Sequence, residues 1–362
     1  MKRQTRRPGE IETLNFHAAV DVPAPGEQRL VSDPTRVDAT VALFEAGLRD
    51  SLDTPSRVRG WISDQLFGLI AADLSGCRLV KQEDTGVLFY DDDVKLPDWR
   101  LTLLSGAAVL IEVKAVDDDN PRVAKFRLSE VARLKRYAEL DGAPLYVALH
   151  WVALSLWTLL PIDDFARVGD HLEIDFQTAF KRDHMGSLLN DRMLGLVPPL
   201  EFRMTLEEVA SEEASSTLDG EAGDETMQLP LVVTDVRMFG GRQEMVDERE
   251  KALVWFLIQH ASWPVEEVMR EVGDGLWEMV FTMAPEEVPE GQGFALVGRL
   301  SELYTRMFYS GTSIEEGTTQ LSIDVEPGTL PRLVPTDLHS ERLPLWHLLQ
   351  LPTDKAPAGD TP

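Results

Sequence analysis

The run Ala107-Ala108-Val109-Leu110-Ile111 is apolar at every position. A strand with one wet face alternates apolar and polar residues, so an unbroken run describes a strand buried on both faces. Such a strand needs cover on each side, and helices supply it in α/β architectures. The flanking sequence has the elements for this. Residues 38–52 repeat apolar side chains at helical spacing (Val41, Phe44, Leu48, Leu52). A second helix starts at Thr54 as N-cap with Pro55 in its first position, and Gly76 stands past its end. Its stripe is Val58, Trp61, Ile62, Leu66, Leu69 and Ile70, a face meant for a core.

Strands are expected at residues 78–80 and 87–90, around a turn at Asp84-Thr85-Gly86. Residues 95–104 and 107–116 form a further pair, joined at Ser105-Gly106 by a two-residue hairpin signal. Residues 121–140 return to helical spacing (Val123, Phe126, Val131, Leu134, Tyr137) and stop at Gly142. Strands at 145–151 and 155–161 complete an α-β-β-β-α-β order with mixed pairing.

At 362 residues the chain exceeds one compact core, so two domains plus tails are expected. Residues 1–33 read as a tail rich in Pro, Gly and charge, and 34–200 as the first domain. Residues 201–230 read as an acidic linker, 231–350 as a smaller α+β domain and 351–362 as a second tail. Within the last domain, residues 245–260 and 294–309 are helix candidates and 319–325 alternate like a strand. The single cysteine, Cys77, excludes an intramolecular disulfide and a cysteine-cluster zinc site, which favours a reducing compartment. The longest apolar run, 145–160, contains His150 and is shorter than the ~20 residues of a membrane span. With no secretory signal visible, a cytoplasmic protein is expected.

The net charge of -27 is uneven. Residues 1–200 carry 24 Lys+Arg against 31 Asp+Glu (-7), whereas residues 201–362 carry 11 against 31 (-20). A polyanion should therefore meet the first half. The second half suits regulation, a protein partner or self-association.

Chemistry concentrates at Leu96-Pro97-Asp98-Trp99 and, thirteen residues on, Glu112-Val113-Lys114. Glu112 and Lys114, two apart on a strand, leave the same face. Folding the hairpin about Ser105-Gly106 brings Asp98 to Glu112 within a residue of register. Two carboxylates and a lysine beside so apolar a strand are costly to bury without compensation. A divalent ion would supply it, since two carboxylates plus waters suit Mg²⁺, with Mn²⁺ as the substitute.

This arrangement resembles the PD-(D/E)XK nuclease superfamily: Pro97-Asp98 matches the first half-motif and Glu112-Val113-Lys114 the second. The resemblance spans roughly residues 55–161 and is similar in kind to the nuclease domain that opens type I restriction motor subunits. There a helix with a Gln-x-x-x-Tyr signature follows; here Arg133-Leu134-Lys135-Arg136-Tyr137 keeps the tyrosine and puts arginine in place of the glutamine. The family often adds an acid from its first helix, for which Asp64 is the substitute available. The resemblance implies a restriction-endonuclease-like core, a central mixed sheet flanked by helices. It also implies a metal held by Asp98, Glu112 and the Val113 carbonyl. Lys114 would position the attacking water or stabilise charge on the phosphate.

The basic residues Arg122, Lys125, Arg127, Arg133, Lys135 and Arg136, together with Tyr137, form the candidate nucleic-acid surface. The expected activity is a metal-dependent DNA endonuclease used against foreign DNA. An inactive nuclease-fold adaptor and an RNA-cleaving toxin stand as alternatives. Asp91-Asp92-Asp93 and Asp117-Asp118-Asp119 lack calcium-loop spacing, the seven histidines have no paired metal spacing, and no nucleotide-binding motif is present.

Overall fold

The computed structural model describes residues 34–83, 93–116, 122–208, 231–312 and 328–353. The expected strands at 87–90 and 319–325, the tail at 1–33, residues 209–230 of the linker and residues 354–362 lie outside these. Among the described residues no helix is long and apolar enough to cross a membrane.

The chain divides into two compact units, the first ending at Arg182 and including Gly328, the second beginning at Asp183. In the first unit, α1 (Val37–Leu52) and α2 (Pro55–Asp73) precede β1 (Cys77–Gln82), β2 (Trp99–Leu103) and β3 (Ala108–Val116). Next come β4 (Val123–Arg127), α3 (Leu128–Asp141), β5 (Leu145–Trp151) and β6 (Leu156–Pro161). The unit closes with β7 (Ala166–Val168), β8 (His171–Asp175) and α4 (Phe176–Lys181). The main sheet has the order β1-β2-β3-β5-β6. Every neighbour in it is antiparallel except β3 and β5, which are parallel. β4, β8 and β7 form a separate antiparallel sheet.

The doubly buried run occupies the centre of the main sheet: Val109, Leu110 and Ile111 are buried. On α2 the buried residues include Ile62, Leu66, Phe67, Ile70 and Ala71, while Trp61 is exposed. Thr54 donates to the Asp50 carbonyl and does not cap α2, whereas Pro55 does occupy its first turn. Gly68 lets α2 approach the sheet closely, because a Cβ there would sit 2.2 Å from the Trp99 ring. The hairpin turns at Gly106 with φ +90, a conformation that favours glycine. Gly142, at φ 73, ends α3 as its left-handed cap.

The helix expected over 121–140 is two elements. Val123–Arg127 is a strand with Ala124 and Phe126 buried and Lys125 and Arg127 exposed, and only from Leu128 does the chain turn helical. Residues 123–127 fit both periods, and pairing of β4 with β8 selects the strand. Likewise residues 294–309 resolve into a strand and the start of a helix, and the hairpin strand expected from 95 begins at Trp99.

The second unit holds α5 (Met185–Leu189), β9 (Arg192–Leu196), β10 (Leu200–Glu208), β11 (Leu231–Gly240), β12 (Gln243–Glu244) and α6 (Glu248–His260). It continues with β13 (Val265–Gly273), β14 (Leu276–Met283), β15 (Ala295–Arg299), α7 (Leu300–Thr312), α8 (Thr329–Leu333) and β16 (Leu345–Leu349). Two antiparallel sheets, β12-β11-β10-β14-β13 and β15-β9-β16, make it an α+β unit. The division therefore falls at Arg182 instead of 200, and residues 201–208 are a central strand and not linker. The reason lies in their alternation: Leu200, Phe202 and Leu206 are buried and Met204 half-buried, with Glu201, Arg203 and Thr205 between them.

Candidate active site

The hairpin sets the geometry. β2 and β3 pair antiparallel with Trp99 opposite Ile111 and Arg100 opposite Leu110. One step further along the same register, Asp98 stands opposite Glu112 at the mouth of the strand pair. Asp98 Oδ2 accepts a hydrogen bond from the Val113 N–H at 2.6 Å, taking the place of a ladder partner where β2 has ended. On the other side of this residue, its carbonyl accepts from the Glu83 N–H at 2.9 Å. Asp98 is thus fixed at both its backbone and its side chain.

Glu112 is 5% exposed. Its Oε1 accepts from Lys95 Nζ at 2.5 Å. Its Oε2 is buried and has no hydrogen-bond partner among the described residues. Burial pushes the Glu112 carboxyl well above the ordinary carboxylate range, and the charge of Asp98 adds to this. Asp98 is raised as well, chiefly by burial, with Asp64 contributing through its charge. Two like charges held out of water beside each other both resist ionisation.

Asp64 comes from α2, as the sequence proposed for a helix acid. Its carboxylate accepts the indole N–H of Trp99 and the side-chain amides of Gln82 (3.1 Å) and Gln65 (3.2 Å). Its pKa is raised by burial. Trp99 follows Asp98 directly, so the Asp64–Trp99 bond ties α2 to the strand that carries the site.

Lys114 leaves β3 two residues after Glu112, is half-buried, and lies with its ammonium 5.3 Å from the centroid of the Phe126 ring. That contact holds the charge without neutralising it. The sequence reading missed two residues that complete the cluster. Lys95 Nζ reaches Glu130 Oε1 as well as Glu112, and its backbone N–H donates to the Arg133 carbonyl at 3.3 Å. Burial lowers the pKa of Lys95, but the charge and hydrogen bond of Glu112 outweigh it and hold the ammonium on. For Glu130, burial is overcome by the Lys95 hydrogen bond and by the charges of Lys95, Lys114 and Arg127, so its carboxyl lies below the usual range. The signal available for Glu130 was its position as the lone acid between Arg122 and Arg136.

The basic residues separate into two groups. Lys125 pairs with Glu173 (2.9 Å), Arg133 with Asp93 (2.9 Å), Lys135 with Asp163 (2.5 Å) and Arg136 with Glu139 (3.3 Å). Arg122 and Arg127 are exposed and carry no ion pair among the described residues. Tyr137 packs against the core of the first unit, near Glu83, Arg100 and Asp141.

A divalent ion fits the donor set in part. Two facing carboxylates and a buried, unpartnered carboxylate oxygen are what such an ion satisfies. Among the described residues no three carboxylate, histidine or thiol groups converge on one point, so water would supply the remaining ligands. Of Val113, it is the N–H that meets Asp98.

No family model matches the chain, and none of the curated proteins does. Among solved structures, the chain is similar to the Holliday junction resolvase of the archaeal hyperthermophile Archaeoglobus fulgidus, at 22% identity, over 32% of this chain and 88% of that one, with a TM-score of 0.25.

Proposed function

We propose that the first unit is a metal-dependent nuclease that hydrolyses phosphodiester bonds in DNA, acting in restriction of foreign DNA. The observation that carries this reading is Glu112 Oε2: a buried carboxylate oxygen without a partner, opposite Asp98, with Lys114 on the same face of the same strand. Asp98 and Glu112 would hold Mg²⁺ or Mn²⁺, with the Val113 carbonyl as a further oxygen. The bound ion would supply Lewis acidity and positive charge at the phosphate.

The protein's own groups do the rest. Lys114, which has no ion pair among the described residues and rests over the Phe126 ring, is placed to orient the attacking water and to stabilise negative charge growing on the phosphate. Arg122 and Arg127, exposed and with no ion pair among the described residues, are placed to take phosphates of the strand. The acidic second unit would repel a polyanion at low salt and so restrain the nuclease or dock a protein partner.

One observation favours a second reading, a nuclease-fold binding protein without turnover. The Lys95 ammonium already compensates Glu112, so the site could rest without metal. Incubating the protein with supercoiled plasmid and with RNA, in Mg²⁺, in Mn²⁺ or in EDTA, decides between the two. Conversion of plasmid to nicked or linear form in Mg²⁺, abolished by EDTA, is the expected result. Binding without cleavage under every condition would establish the second reading, and cleavage of RNA alone would reassign the substrate.

A further inference from the structure

The cation inside the site is the feature that the nuclease reading leaves unexplained. Lys95 bridges two carboxylates, Glu112 and Glu130, which stand on different elements, β3 and α3. Glu112 has no other ion-pair partner among the described residues, and the remaining oxygen of its carboxylate is the orphan. The lysine is also held at its backbone by α3 through the Arg133 carbonyl. Pro97 and the doubly tied Asp98 follow it in sequence, so its main chain is fixed at its own N–H and on its C-terminal side. A bridging cation between carboxylates of two elements is the place a second ion takes in two-metal hydrolytic sites.

We infer that Lys95 is a built-in cation that occupies this second place, leaving room for one divalent ion at Asp98 and the free oxygen of Glu112. It is a positioning residue, turning Glu112 so that Oε2 and not Oε1 faces the ion. The inference rests on the proposed reading of Asp98 and Glu112 as an ion site. It makes a prediction that reading does not make: removing the ammonium leaves Asp98, Glu112 and Glu130 with too little positive charge, and a second divalent ion should enter.

The test counts ions and does not depend on activity. The full chain, freed of metal with EDTA, is titrated with Mn²⁺, and free Mn²⁺ is followed by its electron paramagnetic resonance signal. The Glu112→Gln protein sets the background from the other acidic side chains. Above that background the wild type should bind one ion, Lys95→Ala two, and Lys95→Arg one, because arginine restores the charge. Mn²⁺ should also raise the melting temperature of Lys95→Ala more than that of the wild type.

Two ions in the wild type would overturn the inference and leave the site reading standing, and this count needs no variant to fold. One ion in a folded Lys95→Ala protein would overturn it too and make Lys95 a staple between the loop and α3. No ion above background in the wild type would remove the site reading itself, and the role of Lys95 with it.

Discussion

Glu112 sits where burial and a neighbouring carboxylate act in the same direction. Its pKa is raised from 4.5 to about 8 by burial first and by Asp98 second. Below 4.5 the folded and unfolded chains both hold the proton. As pH rises from there through about 8, the unfolded glutamate ionises freely and the folded one does not, so stability falls across this window. Asp98, raised from 3.8 to about 6, adds to the fall in the lower part of it. Urea melts in EDTA between pH 4.5 and 8 should show the decline, and Glu112→Gln should flatten it. A wild-type protein of constant stability over that range would mean that neither carboxylate is desolvated in the folded state.

At the scale of elements, α2 and the hairpin meet at one tight contact. Alanine at Gly68 would place its methyl within 2.2 Å of Trp99, whose indole also bonds Asp64. Gly68→Ala should therefore cost about 1–3 kcal/mol in a denaturant melt, as overpacked cores do, and should shift the tryptophan fluorescence. On and next to β4 and α3, the charges already paired at the surface have less to offer a phosphate than Arg122 and Arg127, which have no ion pair among the described residues. Arg122→Glu with Arg127→Glu should weaken duplex binding and reduce its salt slope by about one per lost contact. The same change at Arg133, Lys135 and Arg136 should do less, and fluorescence anisotropy at two salt concentrations compares the two sets. The hairpin was legible in the sequence because Gly106 and the apolar run fix turn and register together. The strand at 123–127 was not, because Val123 and Phe126, three apart, continue the helical period of α3, and the alternation of buried Ala124 and Phe126 decides only once β8 supplies a partner. Lys95 and Glu130 stayed hidden for a related reason: no spacing rule reports that a loop lysine and the lone acid of a basic stretch will meet.

For the whole molecule, the division into two units changes where the chain can be cut. β10 pairs with β11 and β14, and β9 with β15 and β16, so both belong to the second unit. A fragment ending at Ala210 would keep these strands and lose all four partners, leaving unpaired edges that invite aggregation. Size-exclusion chromatography should show that fragment associating, and one ending at Arg182 soluble. The alternation of Leu200, Phe202, Met204 and Leu206 was readable as a strand, but the acidic stretch beyond it outweighed that signal. Removal of the acidic unit should leave duplex binding at least as tight, most visibly at low salt, since like charges then no longer oppose the approach. The central claim, that Asp98, Glu112 and Lys114 form a phosphodiesterase site, is tested most directly by cleavage of supercoiled plasmid in Mg²⁺. The measurement sets wild type beside Glu112→Gln and Lys114→Ala proteins of matching circular dichroism. The wild type should cleave, and each variant should be slower by at least about a hundredfold, the scale of losing one charge-stabilising group in a catalytic site. Cleavage by either variant at the wild-type rate would contradict the account.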